Sequence, residues 1–75
     1  MSVSIYCRPV KNDWHHVASS NHLHSILEKA YGVPCRLDES CIGFLTGLVA
    51  CEQKDVQDMI DMICKYGEIE VSTQS

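Results

Sequence analysis

The chain has 75 residues, with 6 Lys and Arg against 10 Asp and Glu, for a formal net charge of −4 when histidines are neutral. One domain fits this length, and a chain so short buries only about 60% of the surface its unfolded form exposes, so no apolar segment can be idle. The mild acidity and the scattered Lys and Arg residues disfavour nucleic acid as a partner, because that partner requires a basic patch.

The N-terminus, MSVSIYCRPV, has neither the basic start nor the long apolar stretch of a secretory signal. Residues 2 to 8 alternate, which predicts a strand with Val3, Ile5 and Cys7 inward and Ser4, Tyr6 and Arg8 outward. Pro9 cannot donate to a ladder and marks an edge or the strand end. Lys11-Asn12-Asp13 supplies a turn, since Asn and Asp tolerate left-handed geometry. Trp14 to Ala18 then reads as a returning strand.

Ser19-Ser20-Asn21 offers caps for a helix over residues 20 to 31, in which Leu23, Ile26, Leu27, Ala30 and Tyr31 form one apolar stripe. Gly32 and Pro34 close it. Cys35-Arg36-Leu37 reads as a linker. The run from Cys41 to Cys51, CIGFLTGLVAC, contains no charged residue and is too short to cross a bilayer, which takes about 20 residues. We read it as a buried helix, because Asp38-Glu39-Ser40 caps its start and suits the helix dipole. Cys41, Phe44, Leu45, Leu48 and Cys51 share its bulky face; Gly43, Thr46, Gly47 and Ala50 form a thin face that permits close backbone approach. A strand is the competing assignment for this run, since each glycine costs a helix roughly 1 kcal/mol.

Glu52-Gln53-Lys54 breaks the chain before a helix over about residues 54 to 66. Val56, Met59, Ile60 and Ile63 form its central stripe, widened by Met62, Cys64 and Tyr66. Asp61 and Lys65 stand at ion-pair spacing on its wet face. Gly67 ends it, Glu68 to Ser72 alternates strictly as a half-solvated strand, and Thr73-Gln74-Ser75 reads as a frayed end. The expected fold is α+β, a small two-layer domain in the order β-β-α-α-α-β, with a short antiparallel sheet and helices on one face. If residues 41 to 50 formed a strand, the order would approach a ferredoxin-like β-α-β-β-α-β.

The chemical candidates are weak. His15, His16, His22 and His24 crowd together, but none has the paired spacing of a zinc site, and His22 and His24 fall on opposite borders of the helix stripe. The five cysteines (7, 35, 41, 51 and 64) are odd in number and include no C-x-x-C pair, which points to reduced thiols and a cytoplasmic location. Cys41 sits near a helix start, but Asp38 and Glu39 beside it oppose thiolate formation. Gly43-x-x-x-Gly47 lacks the Lys and Ser/Thr of a phosphate loop. Asp58 with Asp61 and Glu68 with Glu70 read as solvated faces.

The expectation is therefore a small non-catalytic accessory module that acts by protein–protein contact and is able to form a homodimer. It implies no catalytic residue, cofactor, metal or membrane. Tyr6, Trp14, Gly43, Gly47, Met62 and Tyr66 are its interface candidates, because exposed aromatics anchor interfaces and small residues allow close approach. A metal-binding factor or small thiol enzyme that uses the His and Cys supply is the alternative.

Overall fold

Segments that alternate apolar and polar residues bury only one face each, and they are stable as neighbours in a sheet covered on one side. The computed structural model describes residues 2–48, 51 and 53–75. In chain order its elements are β1 (Ser4–Pro9), β2 (His15–Ser19), α1 (Asn21–Tyr31), β3 (Cys35–Asp38), a 3-10 turn (Glu39–Cys41), α2 (Ile42–Thr46), α3 (Gln53–Tyr66) and β4 (Glu68–Gln74). All strand pairs are antiparallel, and the sheet order is β2-β1-β4-β3.

This is the expected two-layer α+β domain, with one strand more than expected. CRLD, read as a linker, is β3 and pairs with β4 from Cys35↔Val71 to Asp38↔Glu68. Its signal was faint because only Leu37 of the four residues is fully buried. β4 also runs longer than expected, since Thr73 and Gln74 pair with Ile5 and Ser4 rather than fraying.

The core lies between the sheet and the helices. Ile5, Cys7, Leu37, Ile69 and Val71 from the sheet meet Leu27 of α1, Leu45 of α2 and Met59 and Ile63 of α3, all 0% exposed. Full burial of such side chains stabilises by roughly 1.5–3 kcal/mol each. Ser20 caps α1 by accepting the Leu23 N–H at 3.1 Å. Gly32 and Gly67, at φ of 75° and 83°, end α1 and α3 by donating to the carbonyls of Glu28 and Ile63. Both positions need a residue without a Cβ penalty at positive φ.

Among the described residues, the uncharged run is helical rather than extended, so the ferredoxin-like order is not adopted. Asp38 does cap it, accepting the Ser40 N–H at 3.0 Å at the start of the 3-10 turn. The helix is shorter than expected, since α2 has 5 residues. Val49 and Ala50, which the expected helix included, lie outside the described residues. Burial centres on Leu45, with Cys41 beside it and Leu48 and Cys51 half-buried. Phe44, expected inward, is 40% exposed and meets Tyr31 edge-on with ring centroids 5.3 Å apart. It lies about 100° around the helix from Leu45, too far to share its contacts. The stripe of α1 is likewise narrower than expected: Leu23 and Leu27 are buried, whereas Ala30 and Tyr31 are exposed. Cys64 and Tyr66 of α3 also face outward, while Val56, Met59 and Ile63 carry the packing.

Candidate functional site

The polar half of each strand stands on the face that no helix covers. Register sets Arg36, Glu70 and Arg8 in one row across β3, β4 and β1. Ser72, Tyr6 and His16 form the next row across β4, β1 and β2. The second row depends on an irregularity. Ile5 pairs with Ala18 but Tyr6 pairs with His16, so Val17 is an extra residue in β2. This bulge keeps Ala18 in the core while turning His16 to the open face, as bulges re-aim side chains.

Trp14, in the loop before β2, folds back over this surface. The Arg8 guanidinium carbon lies 4.3 Å from the centroid of the Trp14 ring. Arg8 donates from Nη2 to Glu70 Oε2 at 3.3 Å and from Nη1 to the Asn12 carbonyl at 3.4 Å. One side chain thus ties the hairpin loop, the indole and β4 together. The cation–π contact adds about 0.5–1 kcal/mol at a partly exposed position. Among the described residues Arg8 Nε is buried without an acceptor, out of reach of anything that docks on the face. The turn that brings Trp14 back has Lys11 at φ 71°, with the Asn12 N–H donating to the Pro9 carbonyl at 3.0 Å.

Beside the indole, Tyr6 meets His16 edge-on with centroids 5.4 Å apart at 71°. His16 Nε2 and Ser19 Oγ are 3.0 Å apart, a hydrogen bond that orients the imidazole. Tyr6, Trp14, Ser72 and Gln74 line a shallow groove of about 210 Å³.

The other interface candidates lie elsewhere. Met62 and Tyr66 line a depression of about 290 Å³ with His15, Asp61 and Lys65, on the flank where α3 meets β2. Tyr66 also borders a third depression with Pro9, Val10, Asn12 and Glu68. Gly43 and Gly47 are exposed on α2, and a Cβ added at Gly43 would meet nothing within 4 Å. At Gly47, among the described residues, it would meet the Phe44 and Gly43 carbonyl oxygens of its own helix, at 3.5 and 3.8 Å. Close backbone approach inside the domain is therefore not what these glycines serve among the described residues. Of the six candidates, the fold brings together Tyr6 with Trp14 and Met62 with Tyr66.

Sequence reasoning missed Arg8, Glu70 and His16 as members of the open-face cluster. Arg8 and His16 had signals, an outward strand position and a neighbour of the tryptophan. Nothing local pairs Arg8 with Glu70, which lies 62 residues away.

The thiols and histidines form no comparable constellation. Among the described residues, no three His, Cys, Asp or Glu side chains come together to hold a metal ion. Burial pushes the Cys7 thiol up to about 12, reinforced by nearby Cys35. Burial also raises Cys35 and Cys51, the latter with help from Asp55. Cys41 is buried, with its sulfur 3.9 Å from Asp38 Oδ1. That carboxyl is itself held below its usual range by the hydroxyl and N–H of Ser40. All five cysteines are unpaired, and Cys64 alone among them is exposed.

Among the described residues no helix is long and apolar enough to cross a membrane. No protein-family model, curated protein or solved structure matches this chain.

Proposed function

We propose that this chain is a small non-catalytic accessory module that acts by protein–protein contact, and that its contact surface is the open sheet face around Trp14, Tyr6 and Arg8. One observation carries the reading: a Trp, a Tyr and an Arg, the residue types that dominate interface energetics, stand on one face, with Arg8 stacked on Trp14 and Tyr6 edge-on to His16. Side chains held in place before binding lose little entropy on association. The surrounding Ser72, Gln74, Glu70 and Arg36 provide the polar rim typical of such surfaces.

The charge balance argues against nucleic acid on the same face, since Glu68, Glu70 and Asp38 offset Arg8 and Arg36 there. The odd cysteine count without a C-x-x-C pair supports a cytoplasmic setting. A homodimer would be served by a different surface, the exposed Tyr31–Phe44 pair beside Gly43 and Gly47.

Affinity capture from native host lysate tests the reading when wild type is compared with Trp14→Ala and Tyr66→Ala. A specific protein retained by wild type and by Tyr66→Ala, but lost with Trp14→Ala, supports the open face. Retention by wild type and both variants removes Trp14 from the contact. Light scattering of the same preparations reports whether the retained partner is a second copy.

A further inference from the structure

We propose that the Tyr6–Trp14 groove receives a proline-containing segment of a protein partner in the extended polyproline conformation. This deepens the docking reading of the open face and rests on it. The lining side chains, Tyr6, Trp14, Ser72 and Gln74, include no carboxylate, imidazole, amine or guanidinium. Each can donate a hydrogen bond, from phenol, indole N–H, hydroxyl or amide.

Charge decides what such a groove can hold. An anion finds no uncommitted positive group, because Arg8 is engaged by Glu70 and by the indole face. A cation would have to share the indole with a guanidinium already 4.3 Å from its centroid. The occupant that complements the groove is neutral, offers acceptors, and has flat apolar surface for the rings. At about 210 Å³, the groove is smaller than the roughly 300–1,000 Å³ of a small-molecule pocket. It suits a compact ring on a longer chain.

A polyproline helix meets each condition. It has no internal hydrogen bonds, so its carbonyls are free acceptors, and proline contributes no competing N–H. Its rings pack on aromatic walls, and its conformation is set before binding. A strand added to the sheet edge would leave this groove unused, because the groove lies on the face.

Trp14 is the single tryptophan of the chain, so its emission reports the groove directly. Titration of the folded protein with an oligoproline peptide should give a saturable change. A Gly-Ser peptide of equal length, a lysine-rich peptide and an oligothymidylate should give none. Tyr6→Ala should weaken oligoproline binding about tenfold or more, the scale for a truncated aromatic anchor. Tyr6→Phe keeps the ring and guards against a folding defect; it should retain most of the affinity. No response to oligoproline, or an equal response to the Gly-Ser peptide, overturns the proposal, as does preference for the lysine-rich peptide or the oligothymidylate. If oligoproline fails while Trp14→Ala still abolishes capture of a protein partner, the open face remains the docking surface and only its proline specificity falls. If both experiments fail, the docking reading falls with it.

Discussion

Neighbouring residues of β4 meet opposite environments. Ile69 and Val71 are 0% exposed beneath the helices, whereas Glu70 and Ser72 stand on the uncovered face. The covered face is held by non-directional burial, which tolerates reshaping but not charge. The open face is held by directed contacts: a guanidinium on an indole, an ion pair, and an edge-on Tyr–His pair. The core and the proposed docking face are thus separated by a single step along one strand, and substitutions on that strand can separate them experimentally.

Val71→Asp should have the largest effect. An unpaired charge on the covered face costs several kcal/mol, which a domain of this size does not hold in reserve. No cooperative melt should remain by circular dichroism, and a wild-type melt would mean that this face is not the core. Leu45→Asp should act the same way, whereas Leu48→Asp should cost less because Leu48 is only half-buried.

Alkaline pH probes the covered face next. The folded Cys7 thiol is pushed up to about 12 by burial, against 9.0 for the free group. Below the lower value both states keep the proton. As pH rises toward the upper value, the unfolded chain releases its proton and the fold does not, so stability declines. Cys7→Ala should flatten that part of a stability–pH curve; an unchanged slope would mean that other groups govern it. Native-state thiol labelling at neutral pH should modify Cys64 promptly and Cys7 only through unfolding.

Arg8→Ala has a smaller expected effect, about 1 kcal/mol, combining a partly exposed ion pair and a cation–π contact. It should also change the Trp14 emission, because the indole loses its ordered neighbour. If the emission spectrum is unaltered, Arg8 does not position the ring. Smallest of all, Ser72→Asp should stay within about 0.5 kcal/mol of wild type while weakening whatever docks in the groove. A large loss of stability there would erase the contrast between the faces.

How far the sequence could be read follows from the same division. Strict alternation in Ile5 to Cys7 and in Glu68 to Ser72, the Ser20 cap, and the glycines at 32 and 67 are local signals, and each marks the element it predicts. The failures are non-local. β3 has too few inward residues to be seen without its partner, and Phe44 turns outward because α2 is short and pivots on Leu45. Tyr6 and Trp14 were visible as exposed aromatics, but their union depends on Lys11 at positive φ and on Arg8 reaching Glu70. No pattern within either segment encodes that union.

The position of β4 has a consequence for folding. It forms two of the sheet's three strand pairings, joining the β1–β2 hairpin to β3. Its contacts with β1 span most of the chain, so loop closure delays them relative to the local hairpin and helices. Ser72 and Gln74 are half of the groove lining. The groove therefore does not exist in a nascent or partly folded chain. It comes into being with β4, and a partner docking there as proposed would select only molecules whose folding is complete.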